Sequence, residues 1–350
     1  MANRILKIQE TAISDNSRCF VIAEIGHNHQ GNVDTAKKMI KAAVDAGASA
    51  VKLQKRDNRS LFTSAYYDRP YNSENSFGGS YGEHREFLEF DYDQYKELQS
   101  YSNELGTIFF ATAFDFKSAD FLQNLDMPAF KIASGDLKNL PLINYLADFG
   151  KPLIISTGGG YQEDIDRVVE SLESKKAQYS ILQCTAGYPP AWNELNLGVI
   201  TTLRNKFPST VIGFSSHDNG IAMSVAAYAL GARIIEKHFT LNRTLKGTDH
   251  AFSLEPQGLS KLVRDLDRLH VALGDGIKSQ YPSESDPLQK MGKKIVAARA
   301  LPKGTVLSSE DLEFKSPGDG LPPWRVQEII GKTLARNLEF EEAVIENDYS

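Results

Sequence analysis

Two lysines, three serines and two histidines stand at the ends of short apolar runs, where packing alone would favour hydrophobic residues. Lys52 and Lys131 interrupt Ala50-Val51-Lys52-Leu53 and Ala129-Phe130-Lys131-Ile132, and Ser134, Ser156 and Ser215 close or follow similar runs. Buried lysines are costly unless paired. Two that converge suit a bound anion, and the hydroxyls add donors, so the set fits a phosphate dianion. The competing reading of each lysine is a partner in the core such as Glu24. His217 and His238 lie about twenty residues apart, at the ends of successive runs. Two neutral imidazoles, completed by water and substrate oxygens, suit an octahedral Mn²⁺ or Mg²⁺ better than a closed Zn²⁺ site. Glu24 is the natural carboxylate near such a metal, with Asp249 and Asp136 as further candidates.

Two loops add weaker signals. In Ile25-Gly26-His27-Asn28-His29-Gln30-Gly31 imidazole alternates with amide, and His27 reads equally well as a solvated loop histidine. Ser156-Thr157-Gly158-Gly159-Gly160 offers backbone amides to an anion at a helix N-terminus, although tight turns need such glycines too.

These residues need a frame that brings them together. Short apolar runs at 20–25, 50–53, 107–111, 129–132, 152–156, 179–184, 211–214 and 233–236 read as strands. Between them lie segments with apolar residues at helical spacing, such as 33–46, 95–105, 165–172 and 259–273. Gly47, Gly106, Gly150 and Gly231 occupy helix-terminating positions. About eight strand–helix units predict a closed (β/α)₈ TIM barrel, an α/β fold whose site lies at the carboxyl ends of the strands. A doubly wound open sheet is the alternative, but its Gly-x-Gly-x-x-Gly turn is missing after the first strand. The stretch from Lys55 to Asp91 is long, polar and rich in aromatics, which predicts an ordered active-site loop. After Gly274 the rhythm stops. The reading places the barrel at 1–275, a linker at 276–290 and a small β-rich domain at 291–350.

Composition narrows the class. A net charge of -6 over 350 residues argues against general nucleic-acid binding. Cys19 and Cys184 are too few for a disulfide framework and read as buried thiols. No signal peptide or membrane span is expected, so a cytoplasmic enzyme fits best.

The motifs taken together resemble those of the sialic acid (nonulosonic acid) synthases. The matching stretches are Ala23-Glu24-Ile25-Gly26-x-Asn28-His29-x-Gly31, Val51-Lys52-Leu53-Gln54 and Phe130-Lys131-Ile132-Ala133-Ser134-Gly135-Asp136. Gln183-Cys184-Thr185-x-x-Tyr188-Pro189, Ser215-x-His217, Glu236-Lys237-His238-Phe239-Thr240 and Lys246-Gly247-x-Asp249-His250 continue the likeness. Tyr81-Gly82-Glu83-His84-Arg85 is more like the animal-type branch. The last sixty or so residues resemble the family's antifreeze-like (SAF) domain, which implies a domain-swapped homodimer.

The resemblance implies that phosphoenolpyruvate condenses with the open-chain aldehyde of an N-acylated amino sugar, and that phosphate leaves. It implies Glu24, Lys52, Lys131 and Asp249 as catalytic groups, and Ser134, Asp136, Ser156, Tyr188 and Ser215 as substrate contacts. His217 and His238 would carry the Mn²⁺ or Mg²⁺. The resemblance implies N-acetylmannosamine or its 6-phosphate as the acceptor; Lys55, Arg56 and Arg69 are candidate partners of a second phosphate and read equally well as solvated loop charges. Precursors of legionaminic or pseudaminic acid are the alternatives. Ala186 stands where bacterial members often carry Asn, and Ser316 where some carry Arg. Rival readings are an octulosonate or heptulosonate phosphate synthase and a carbohydrate-binding protein without chemistry.

Overall fold

Side chains alternate across a β-strand, and in the computed structural model, which describes residues 4–350, this alternation sorts eight strands into layers. A hairpin of β1 (Ile5–Ile8) and β2 (Thr11–Ser14) comes first. The strands β3 (Phe20–Gly26), β4 (Ala50–Lys55), β5 (Ile108–Ala113), β6 (Phe130–Ile132), β7 (Leu153–Ser156), β8 (Tyr179–Cys184), β9 (Val211–Ser216) and β10 (Ile234–His238) follow. They close into a barrel in which β10 pairs with β3, and each neighbouring pair is parallel. The predicted TIM barrel is the fold.

One set of alternate residues faces outward. Val21, Ala23 and Ile25 of β3, Val51 and Leu53 of β4 and Phe109 and Ala111 of β5 pack with the apolar stripes of the helices. The helix Val33–Asp45 shows why such segments fold: Asn32 caps it by accepting from the Thr35 N–H, and it buries Ala36, Met39, Ile40 and Ala43 on one face. The other set faces inward and forms a separate apolar cluster of Phe20, Ile22, Ala50, Ile108, Phe110, Ala129, Ile154, Leu182, Val211 and Ile234. Leu6, Ile8 and Ile13 of the hairpin join this cluster and close the N-terminal end of the barrel. The sequence reading began at residue 20 and missed the hairpin, because four-residue strands give too short a pattern.

Gly213 belongs to the inward layer. A Cβ there would lie 2.3 Å from Leu182 Cδ2 and 2.6 Å from the Ile234 carbonyl oxygen. The backbone oxygen cannot yield as a flexible side chain would. Gly213→Ala is therefore expected to cost about 1–3 kcal/mol through overpacking, measured by urea denaturation. An unchanged midpoint would contradict this account of the layer.

Several strands run on past their predicted ends into polar residues, while those ending at Ile132, Ser156 and Cys184 stop where predicted. Strand β4 extends through Gln54 and β5 through Thr112. The stretch Lys55–Asp91 is ordered, as expected, but it is not one loop. It holds short helices at Asn58–Leu61, Ser64–Tyr67 and Tyr81–Leu88. The last has a capping box between Ser80 and Glu83. Contacting rings of Phe62, Tyr66, Tyr81, Tyr71, His84, Phe77 and Phe87 brace the stretch.

The described residues fall into two compact units, the barrel ending at Gly274 and a second unit, Asp275–Ser350. Within the second, Pro282–Glu284 forms a 3₁₀ turn and Ser285–Met291 a short helix. Strands β11 (Lys294–Ala297) and β12 (Leu312–Lys315) pair antiparallel. A core that includes Ile295, Leu301, Leu307, Leu334, Leu338 and Val344 holds the unit together. Among the described residues no helix is long and apolar enough to cross a membrane.

Candidate active site

Two residues beyond the inner apolar cluster, every barrel strand turns polar or small on its inner face. Glu24, Lys52, Thr112, Lys131, Ser156, Cys184, Ser215 and Glu236 come one from each strand, and all line a single cavity of about 750 Å³. The ring is a lattice of short contacts between side chains that are almost wholly buried. Lys52 Nζ lies 2.5 Å from Glu24 Oε2 and donates to Thr112 Oγ1 at 2.9 Å. Lys131 Nζ donates to Ser156 Oγ at 2.6 Å and to the Ile132 carbonyl at 2.8 Å, and sits 3.9 Å from Glu236 Oε1. Ser215 Oγ donates to the same Glu236 oxygen at 3.1 Å. Gln54 Nε2 donates to Glu24 Oε1 at 2.6 Å.

Each lysine has a carboxylate neighbour, as the competing reading expects, and each also lines the cavity. The two carboxylates are driven apart. Burial raises the pKa of Glu24; Lys52 pulls it down, Glu236 pushes it up, and the net shift is upward. Burial also acts on Glu236, but Lys131, Lys52 and His238 outweigh it and hold that carboxyl below its ordinary value. One buried acid that keeps its proton more readily beside one that stays ionised is the pattern of an acid–base pair.

His217 and His238 stand just above the ring, with centroids 5.2 Å apart. A carbonyl only accepts, so the 3.1 Å contact between His217 Nδ1 and the Thr185 carbonyl places the proton on Nδ1 and leaves Nε2 with a free lone pair. Burial, then His238, holds the His217 pKa down to about 3. Burial likewise lowers His238. Nδ1 of His238 is buried without a hydrogen-bond partner, 3.6 Å from Asp249 Oδ2. Neutral rings with free nitrogens fit a divalent cation. Among the described residues no group of three or more His, Cys, Asp or Glu side chains forms a cage, so water or substrate would have to complete the shell.

Sequence comparison places this geometry in a lineage. The family model described as NeuB family matches residues 39–278, and that of the SAF domain matches residues 294–343. The chain belongs to the NeuB family. It is 42% identical to N-acetylneuraminate-9-phosphate synthase of Mus musculus, over 94% of this chain and 92% of that protein. It is 35% identical to N,N'-diacetyllegionaminic acid synthase of Campylobacter jejuni, over 94% of this chain and 99% of that one. The crystal structure of N-acetylneuraminic acid (sialic acid) synthetase from Leptospira borgpetersenii in complex with citrate aligns with a TM-score of 0.70 at 34% identity. That match covers 81% of this chain and 95% of the Leptospira chain.

Most of the residues singled out from sequence meet in the cavity of this NeuB-family barrel: Glu24, Lys52, Lys131, Ser134, Ser156, Tyr188, Ser215, His217, His238 and Asp249 all line it. Asp136 does not line it; its carboxylate accepts from Asn139 Nδ2 at 3.1 Å. Of the three loop cations singled out from sequence, Arg56 reaches the cavity, Lys55 being tied to Glu89 at 3.0 Å and Arg69 exposed. Arg85 lines it as well. His27 is no solvated loop residue. It is buried between the two guanidinium groups, with Arg56 Nη1 3.2 Å from Nε2 and Arg85 Nη1 3.3 Å from Nδ1. Burial and these cations hold it well below the usual imidazole range.

Thr112, Cys184 and Gln54 have no role in the sequence reading, and Glu236, which closes the eighth strand at the barrel mouth, is given none beyond that position. Counting two residues on from the inner apolar position finds Thr112 and Cys184. Gln54 is two residues beyond Lys52 by the same rule.

Proposed function

We propose that this protein condenses phosphoenolpyruvate with the open-chain aldehyde of N-acetylmannosamine 6-phosphate, giving N-acetylneuraminate 9-phosphate and inorganic phosphate. The observation that carries the reading is the buried Lys52–Lys131 pair lying beneath the His217–His238 pair in one cavity. The barrel is proposed to act in the cytoplasm as a homodimer that swaps its SAF domain. Residues 1–275 are the synthase domain, 276–290 the linker and 291–350 the SAF domain.

Lys52, Lys131, Ser134, Ser156 and Ser215 hold the phosphate and carboxylate of phosphoenolpyruvate and orient its C3 toward the aldehyde carbon. Bond formation there uses the C2–C3 π pair and leaves an alkoxide on the sugar and a cationic C2; water adds to C2, and the C2–O bond to phosphate then breaks as the new hydroxyl gives up its proton and C2 becomes a ketone. Glu24, in its ionised form, is the base placed to take the proton from that water and pass it to the alkoxide; its raised pKa makes it the stronger proton acceptor of the two carboxylates. The lysines stabilise the charge that builds on departing phosphate. His217 and His238 would hold Mn²⁺ or Mg²⁺, which as a Lewis acid supplies polarisation of the aldehyde oxygen. Asp249 and Tyr188 line the same upper wall and contact the sugar. Asp136, next in the chain to Gly135 of the cavity lining, is proposed to contact the sugar.

Arg56 and Arg85 support the phosphorylated acceptor. The hydrogen bonds of Arg85 go to Tyr81 Oη, at 2.9 and 3.1 Å, and to His27. None of these partners is anionic, so no carboxylate is hydrogen-bonded to this guanidinium where it lines the cavity. The 42% identity to a 9-phosphate synthase points the same way. Arg85→Met is expected to raise KM for the 6-phosphate about 10–100-fold, as loss of a charged hydrogen bond would, with KM for phosphoenolpyruvate unchanged. An equal rise for both substrates would place Arg85 elsewhere in the mechanism.

The reaction itself is tested by following phosphate release with N-acetylmannosamine 6-phosphate, N-acetylmannosamine, a legionaminic acid precursor and arabinose 5-phosphate. Release is expected with the first. Turnover with arabinose 5-phosphate alone would replace this reading with a sugar-phosphate synthase.

A further inference from the structure

Lys237 is a costly residue where it stands. It shares the outer face of β10 with Ile235, which packs into the apolar layer against the helices, and its side chain is 1% exposed. A lysine buried in that layer loses its hydration unless a partner replaces it. The partner is Asp218, also 1% exposed. Lys237 Nζ donates to the Asp218 carbonyl oxygen at 2.6 Å and to Oδ1 at 3.0 Å. Ser216 Oγ donates to the same Oδ1.

Sequence position gives the pair its meaning. Lys237 immediately precedes His238, and Asp218 immediately follows His217. The ladder between β9 and β10 ends at Ser216 opposite Lys237. His217 therefore lies one residue past the last rung. Its ring is held by one hydrogen bond, to the Thr185 carbonyl. The ion pair continues the attachment between the two strand ends beyond the ladder, and it grips the backbone carbonyl as well as the side chain of the residue next to His217.

We propose that the buried Lys237–Asp218 pair is a positioning device that sets the separation of His217 and His238 for a divalent cation. The inference rests on the metal reading above. Neither residue lines the cavity, so neither touches substrate. Loss of the pair leaves the phosphoenolpyruvate seat on Lys52 and Lys131 intact. A residue that merely held the fold would weaken both ligands together.

The test uses metal-stripped full-length protein. Mn²⁺ affinity is read from the electron paramagnetic resonance of the free ion, and phosphoenolpyruvate affinity by calorimetry in chelator. Lys237→Met leaves Asp218 buried and unpaired, so the double variant Lys237→Met/Asp218→Asn, which removes both charges, is measured beside it. The double variant is expected to bind Mn²⁺ about 10–100-fold more weakly, the usual effect of losing support behind a metal ligand. Its phosphoenolpyruvate affinity is expected to stay that of the wild type. Lys237→Arg, which keeps the charge, is expected to recover most of the Mn²⁺ affinity. Unchanged Mn²⁺ binding in the folded double variant overturns the proposal, as does a parallel loss of both affinities or an Arg variant as weak as the Met one. A wild type that binds no Mn²⁺ removes the metal reading itself, and this inference with it.

Discussion

Lys52→Met is expected to cost about 3–5 kcal/mol of stability, the effect of removing one partner from a buried pair. The Glu24 carboxylate would then sit 1% exposed, with Gln54 as its remaining short contact. The cost should depend on pH, and the sign follows from the direction of the shift. Burial already raises the pKa of Glu24 with Lys52 present, and without the ammonium it must rise further. A raised carboxyl pKa means that the folded state holds its proton more tightly than the unfolded chain does. That contribution is fully present below the unfolded value of about 4.3 and is lost as pH rises through the folded pKa. The melting deficit of the variant relative to wild type should therefore be small in acid and widen toward neutral pH. A deficit that stayed flat, or grew in acid, would show that Glu24 does not depend on Lys52. Activity should fall with stability: kcat/KM for phosphoenolpyruvate is expected to drop about 100–1000-fold, as for loss of one preorganised donor to the departing charge.

His217→Ala and His238→Ala are each expected to lower metal-dependent phosphate release at least about 1000-fold, equivalent to about 4 kcal/mol of the barrel's transition-state stabilisation. Phosphoenolpyruvate should still bind, because the lysine ring lies below the histidines and keeps its own contacts. The His217 ring packs 4.1 Å from that of Tyr188, and the His238 ring 5.0 Å from that of Phe252. Circular dichroism should therefore accompany the kinetics, to separate lost chemistry from lost packing. Full turnover by either variant in chelated buffer would eliminate the metal from the reaction.

The amino-acid sequence alone determined the barrel, because eight apolar runs separated by helical stripes admit few other closures, and a polar residue inside a buried run is too costly to be incidental. It therefore located Lys52, Lys131, His217 and His238 by type and position. It left other parts open because they depend on neighbours distant in the chain. Whether Lys52 was paired or free turned on Glu24, which register brings beside it on the adjacent strand. Thr112 and Cys184 of the ring were hidden because a hydroxyl or thiol at a strand end carries no burial cost large enough to mark it, whereas here each faces the cavity. His27 read as a loop histidine because Arg56 and Arg85, 29 and 58 residues away, enclose it only after folding. Lys237 gave no local reason to differ from the other strand residues. Only its approach to Asp218, across the end of the β9–β10 ladder, reveals the ion pair that joins the chain neighbours of the two histidines.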